Sequence, residues 1–285
     1  VMAVAFMANT QHLYYREDVL KELGIPVPKT YEEVVAASEK IRASGKMQHP
    51  YAAAYKAGWN LAEEFVNMFI GHGGEFFKAG TAEPNINNAK GVATLNMLKK
   101  LASLSNPDYL THDSEAIKVE WESGKVALMT LWASRSGTLL DDEGDAKITA
   151  ATKLTGPATV GGGNIPAATL WWDGFTLAKN RSDSDAEASF IALAHAASNK
   201  KMVADAADQA VWLVEGFVPG PKSIGVIEAV KMGAKPYPML PQMGLMHGAL
   251  GSEIVEFLQG KESAEQALKD VEAAYISKAK EQGFL

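Results

Sequence analysis

The sequence has no cysteine. That absence removes disulfides, thiolate nucleophiles and zinc-thiolate centres together, and leaves the redox compartment open. Long apolar runs are missing too. The opening VMAVAFMA has no charged segment before it and is too short to span a bilayer, so it reads as a buried strand of a soluble protein. A surplus of positive charge is also lacking. Lys and Arg number 27 against 34 Asp and Glu, for a net charge of −7, and the basic residues are scattered. No stripe is available to neutralise a phosphate backbone, so no nucleic-acid partner is expected.

Catalytic and metal-binding constellations are equally scarce. The six histidines, His12, His49, His72, His112, His195 and His247, lie far apart without ligand spacing, and no metal site is expected. The GGGN at 161–164 lacks the strand, Lys and Ser/Thr of a phosphate loop and reads as a flexible turn. The acidic run from Asp141 to Asp145 lacks the glutamate that closes a calcium loop and reads as a solvated turn. Glu63 and Glu64 are neighbours on one helix and point to different faces, which excludes them as a paired acid and base. No Gly-x-Ser-x-Gly nucleophile elbow occurs. These patterns supply no candidate catalytic residue and no cofactor, and an enzyme is not expected.

What is present is an ordinary globular composition. With 285 residues, 47% hydrophobic and 21% charged, the chain can form one large domain or two lobes. Helix signals come with caps. Thr30 with Glu33 makes a capping box for a helix running to about Ser44 and stopping at Gly45. Asn60 is the expected cap of a second helix that ends at His72-Gly73-Gly74. A third starts near Asn87 or Asn88, with Val92, Leu95, Leu98 and Leu101 on one face, and a fourth starts at Ser114 and breaks at Gly124. Ser184 with Glu187 is the expected capping box of a helix carrying Phe190, Ile191 and Leu193, and Ser263 opens a long helix carrying Leu268, Val271 and Tyr275. KVALMTLW at 125–132 and the WWDGFTLAKN segment read as strands, and residues 136–168 as loops with short strands. Strands separated by helices indicate an α/β fold.

The aromatic residues form the one suggestive pattern. Trp59-Asn60 ends a loop, Trp132 with Ser134 and Arg135 follows a strand, and Trp171-Trp172-Asp173 enters one. Taken singly, each Trp is as readily a core residue. As a group beside loop breakers and hydrogen-bonding side chains, they suit a cleft in which indole faces stack on the C–H face of a sugar and Asn, Asp and Arg take its hydroxyls.

The stretch ANTQHLYYREDVLKELGIPVPKTYEEVVAASEKI resembles the crossover segment of family 1 extracellular solute-binding proteins, the maltose-binding-like receptors of bacterial ABC importers. Tyr14, Tyr15, Asp18, Gly24, Ile25, Pro28 and Thr30 carry the likeness. His72-Gly73-Gly74 stands in place of the family's Asp-Gly-Gly, residues 122–129 resemble its Gly-Lys-x-Ala-Met strand, and the segment from Pro238 to Tyr275 resembles its tail. The resemblance implies a type II, two-lobed periplasmic-binding-protein-like fold with ligand in an interlobe cleft that closes about a hinge. It implies a C-terminal lobe at 10–169 and 236–285, with 1–9 and 170–235 in an N-terminal lobe whose first part is absent from this chain.

Carried over position by position, the family's ligand-binding places fall here as follows. Asn9 stands where relatives have a sugar-contacting acid, with Gln11 on the other side of the first crossing. His247 stands where they have a stacking Trp. Trp132, Ser134 and Arg135 follow the strand that supplies a binding aromatic, and Trp171, Trp172 and Asp173 lie at the second crossing, joined by Trp59 and Asn60 from the residue reading. The implied function is capture of a neutral mono- or oligosaccharide or polyol for a membrane permease of an ABC transporter. A monomer, in the periplasm or tethered outside the membrane, is the implied state. A sugar acid, polyamine, glycerol phosphate or peptide as solute, or a carbohydrate-active enzyme, are the alternatives.

Overall fold

Two four-stranded sheets form the frame, and a single residue joins their central strands. The computed structural model describes residues 3–141, 144–198 and 200–285. In chain order the elements begin with β1 (Val4–Asn9), β2 (Gln11–Arg16), α1 (Glu17–Glu22), α2 (Tyr31–Ala43), β3 (Tyr51–Ala52), α3 (Trp59–Gly71), α4 (Ala89–Ala102), α5 (Ser114–Glu122) and β4 (Leu128–Trp132). They continue with α6 (Ser136–Leu139), α7 (Ala146–Ala151), β5 (Thr152–Leu154), β6 (Thr169–Phe175), α8 (Asp183–Ser198), α9 (Lys200–Asp205), β7 (Val211–Trp212), α10 (Ile224–Lys231), β8 (Lys235–Pro236), α11 (Met243–Leu258) and α12 (Ala264–Glu281). One sheet has the order β7-β1-β6-β8 and the other β3-β4-β2-β5, and Thr10 alone separates β1 from β2.

The larger core lies on the β2 side. Leu61, Phe65 and Phe69 of α3, Leu95 and Leu98 of α4, Leu250 and Ile254 of α11, and Leu268 and Val271 of α12 are all fully buried in one cluster. Removing a side chain of that size from water contributes roughly 1.5–3 kcal/mol before entropy is counted, so this four-helix layer anchors whatever α3 presents at its ends. The α3–α11 approach is close. A Cβ on Gly251 would stand 2.4 Å from the Gly58 carbonyl oxygen. The Gly58 N–H donates to the Gly251 carbonyl at 3.0 Å, and Gly58 has φ +97°, a conformation open to glycine and strained for other residues.

Most expected helix ends are in place. The Thr30–Glu33 capping box is complete, Asn88 caps α4 through the N–H groups of Lys90 and Gly91, and Ser263 caps α12. α5 begins at Ser114 with Asp113 as its cap, and Gly124 turns the chain at φ +70°.

Four expectations are corrected. α3 starts at Trp59 behind Gly58 and has no side-chain cap, so Asn60 lies inside its first turn. The backbone bond to Gly251 fixes that entry instead. α8 is capped by the Ser182 hydroxyl, which accepts from the Asp185 N–H at 3.2 Å, and not by Ser184. Phe190 and Ile191 on α8 are 54% and 60% exposed. β1 is exposed or half-buried along its length, and no described residue of α8, the helix that follows β6, is buried. Residues 136–168 hold two short helices, α6 and α7, as well as β5, with Asp145 capping α7. Asp142 and Glu143 of the acidic run lie outside the described residues.

Candidate functional site

The strand register around Thr10 brings two tryptophans to one place. Asn9 pairs with Trp171 across β1 and β6, and Gln11 pairs with Trp132 across β2 and β4. Thr10 itself is fully buried and held on three sides. Its hydroxyl donates to the Thr169 carbonyl at 2.8 Å, its N–H donates to the Asn9 side-chain oxygen at 3.0 Å, and its carbonyl accepts from the Ala133 N–H at 2.8 Å. As a result the Trp132 and Trp171 rings meet edge-on with centroids 6.0 Å apart.

Other elements complete the cluster. Trp59, the first residue of α3, lies 6.2 Å from Trp132 and 5.8 Å from Trp171. Tyr237 follows β8, whose parallel pairing with β6 carries it to 4.5 Å from Trp171. His247 of α11 lies 5.0 Å from Trp59. Trp59 is 50% exposed, while Trp132 and Trp171 are half-buried, so the group opens to solvent at the junction of the sheets. Aromatic surfaces at several angles around one opening can stack on a flat or ring-shaped apolar face.

The polar residues expected at the site divide into three groups. Asn9 and Ser134 face each other across the crossing: Asn9 Nδ2 donates to Ser134 Oγ at 3.2 Å, and the Ser134 N–H returns a bond to Asn9 Oδ1 at 3.2 Å. Both are half-buried and beside Trp132, as is Asn60 beside Trp59. Gln11 and His247 are buried supports. Gln11 Oε1 accepts from Asn67 Nδ2 at 3.2 Å. His247 is 4% exposed, with Nδ1 2.9 Å from the Tyr237 hydroxyl and Nε2 3.0 Å from the Trp59 carbonyl. Both ring nitrogens are used, and burial lowers the pKa of the imidazole, so it is neutral with the proton on Nε2.

Among the described residues the third group makes no ring contact with the cluster. Trp172 and Asp173 are exposed; successive residues of a strand alternate faces, so Trp172 projects away from Trp171, while Asp173 shares the Trp171 face. Arg135 forms an ion pair with Glu115 of α5. Its guanidinium is committed to a carboxylate of the protein.

Two residues that matter here escape the pattern of aromatics. Tyr237 sits in a run with no periodicity, and only the β6–β8 register places it. Glu63 lies fully buried beneath the cluster: its Oε1 accepts from the Thr169 hydroxyl at 2.7 Å and from the Trp171 indole N–H at 3.2 Å, and Trp171 Nε1 is also 2.8 Å from Thr169 Oγ1. Burial pushes the Glu63 carboxyl up to about 8, against hydrogen bonds from Thr169, Trp171 and Asn67 that lower it, so it is a neutral acid at neutral pH. Glu63 and Glu64 do face different ways; Glu64 turns toward Gln11 and the buried Tyr31, Tyr51 and Tyr55. A signal existed. The segment NLAEEFVNMFIG is apolar on nearly every side, and an acid within such a helix is enclosed by the core. Among the described residues no group of three or more His, Asp or Glu is arranged to hold a metal ion, and no helix is long and apolar enough to cross a membrane.

Comparison with known proteins adds a family and a fold. The family model described as "Bacterial extracellular solute-binding protein" matches residues 2–214. A "Probable ABC transporter-binding protein" of Deinococcus radiodurans is 28% identical over 188 residues, a match that covers 63% of this chain and 43% of that protein. The chain thus spans less than half the length of this curated relative. The maltose-bound MalE3 of T. maritima superposes with a TM-score of 0.83 at 20% identity, covering 96% of this chain and 72% of the other. A solute-binding protein of Agrobacterium radiobacter in complex with ribitol gives 0.80 at 21% identity, covering 95% and 70%. At these identities the structures establish the fold, a two-lobed α/β architecture of the periplasmic-binding-protein kind.

Proposed function

Because the chain belongs to the bacterial extracellular solute-binding proteins, we propose that it captures a neutral carbohydrate or polyol on the aromatic cluster at the sheet junction and delivers it to the permease of an ABC transporter. The observation that carries this reading is the convergence of Trp59, Trp132 and Trp171, with Tyr237, around one opening. Indole and phenol rings bind the C–H face of a saccharide, and the Asn9–Ser134 pair at its edge offers a donor and an acceptor for hydroxyls. Maltose in the T. maritima protein and ribitol in the Agrobacterium protein are solutes of this chemistry.

The site lies where the two sheets are joined, which is where a hinge must act. The strand boundaries at Thr169 and Lys235 suit lobes of 10–169 with 236–285 and of 1–9 with 170–235, except that α10 lies against β2, with Gly225 close on the His12 ring, and so sits on the β2 side. Closure of these lobes over the solute is the change that a permease reads, with the receptor acting as a monomer outside the cytoplasmic membrane. The site offers stacking and hydroxyl-binding groups in place of two carboxyls flanking a scissile bond, which favours binding without hydrolysis.

A thermal-shift and calorimetric screen of the purified protein tests the proposal, with maltose, ribitol, mannitol, gluconate, spermidine and a short peptide as probes. A ligand at a hundredfold excess over its Kd stabilises the folded state by roughly 2.7 kcal/mol. The expected result is a shift with a sugar or polyol that Trp171→Ala abolishes. A shift with spermidine or peptide alone overturns the reading.

A further inference from the structure

Trp171 touches its aromatic neighbours through ring faces and edges, contacts that have no single preferred direction. One contact is directional. The indole N–H points down to Glu63 Oε1 at 3.2 Å and Thr169 Oγ1 at 2.8 Å, while the Thr169 hydroxyl also lies 2.7 Å from Glu63 Oε1 and 2.8 Å from Asn67 Oδ1. The Thr169 carbonyl in turn accepts the Thr10 hydroxyl. The carboxyl thus ties the platform ring to the residue that joins the two sheets. Resting on the proposed reading of the cluster as a solute platform, we infer that Glu63 is the positioning residue of Trp171, holding the indole by its N–H in the orientation that receives the ligand.

The protonation state of Glu63 is part of this role. The titratable groups facing it are Glu64 on its own helix and Tyr237 after β8, with His247 of α11 hydrogen-bonded to the Tyr237 hydroxyl. From β6 it meets the neutral Thr169 and Trp171. No lysine or arginine acts on it among the described residues. Its second oxygen has no hydrogen-bond partner. A carboxylate in this place has no counter-ion and is repelled by any charge on Glu64 or Tyr237. The neutral acid is the working form, and burial holds it to about 8. Above that pH the anion redistributes the hydrogen bonds of Thr169 and Trp171, and the platform loses its fixed geometry.

Two readouts test this in the purified wild type and in Glu63→Gln, Glu63→Leu and Glu64→Gln. The first is tryptophan emission of the ligand-free protein between pH 6 and 10, and the second is calorimetry with maltose and ribitol at pH 7 and pH 9. The wild type is expected to show an emission transition near pH 8 and a loss of affinity of about tenfold between the two pH values, an effect of the size seen when one well-placed buried contact is lost. Glu63→Gln retains neutral-pH affinity and shows neither change, Glu64→Gln retains the transition, and Glu63→Leu binds about tenfold more weakly at pH 7. A transition that survives in Glu63→Gln, or wild-type affinity in a folded Glu63→Leu, overturns the inference. If no saccharide binds at any pH the platform reading fails, and the ligand-free emission still decides whether Glu63 positions Trp171.

Discussion

The Nε2 of His247 lies 3.0 Å from the carbonyl oxygen of Trp59 and so ties α11 to the first residue of α3. At the other nitrogen the Tyr237 hydroxyl donates at 2.9 Å. One neutral imidazole therefore sets the spacing of two members of the aromatic cluster. A ring in this position acts through its hydrogen bonds and not by stacking openly on a ligand.

His247→Phe preserves a ring and removes both bonds, so that the half-buried Tyr237 hydroxyl loses its acceptor, at a cost of roughly 1–3 kcal/mol. It is expected to lower Tm and to weaken saccharide binding about tenfold. Because burial depresses the pKa of His247 from 6.5, its contribution is present above that value and is lost as the pH falls through the folded value. The wild type should lose stability below about pH 6.5 by this route, and His247→Phe should lose less. Equal acid sensitivity in the two proteins, followed by urea denaturation, counts against the assignment.

Trp171 and Trp172 are adjacent in sequence and opposite in environment. Trp171 has three aromatic neighbours and a buried N–H bond, whereas Trp172 is 50% exposed on the other face of β6. Trp171→Ala is expected to reduce affinity by at least about thirtyfold, or roughly 2 kcal/mol, and Trp172→Ala by less than about threefold. Calorimetry with the solute found in the screen separates them. Equal losses place the ligand across both faces of the strand and contradict the cluster as the platform.

The sequence makes the pieces of this site readable but not their joining. Caps at Thr30, Asn88 and Ser263 act locally, over three residues, and the structure has them where the pattern puts them. The tryptophans stand out by type. What brings Trp132 and Trp171 together is a pair of strand registers on either side of Thr10, a long-range property that spacing does not encode. Strand alternation puts Trp171 and Trp172 on opposite faces, although both are expected in the cleft from their residue type alone. Phe190 and Ile191 lie on a helix rich in apolar residues and yet no described residue of α8 is buried, because apolar composition does not show what covers it. Glu63 fails for the opposite reason: its acidity suggests a surface, and its apolar neighbours decide otherwise.

Gly251 is expected to be intolerant of any side chain. A Cβ there would lie 2.4 Å from the Gly58 carbonyl oxygen and 2.8 Å from its Cα, both backbone atoms that cannot turn aside. Gly251→Ala must push α11 away from the entry of α3, at a cost of roughly 1–3 kcal/mol for overpacking. Because Trp59 follows Gly58 directly, affinity should fall together with Tm. A variant that loses Tm and keeps full affinity shows that Trp59 is decoupled from that contact.

The buried acids give the protein an alkaline weakness. Glu63 and Glu64 are both pushed up from 4.5 to about 8, chiefly by burial. In the unfolded chain each loses its proton near 4.5, while in the folded state each keeps it to about 8. Folding therefore takes up protons in this window, and the stability these groups contribute is full below 4.5 and is lost as the pH rises toward 8. His12, also fully buried, is lowered from 6.5 to about 4 and works in the opposite sense, with stability present above 6.5 and lost toward 4. Between 4.5 and 6.5 the two effects oppose each other. From 6.5 to 8 the glutamates act without that offset, at up to about 1.4 kcal/mol per pH unit for each. Urea denaturation should show stability falling across this interval, and Glu64→Gln should reduce the slope by about half while raising stability at pH 8 by roughly 1–3 kcal/mol. A flat wild-type profile from pH 6.5 to 8 means that the two carboxyls are ionised in the folded protein, and the neutral acid beneath Trp171 is then excluded.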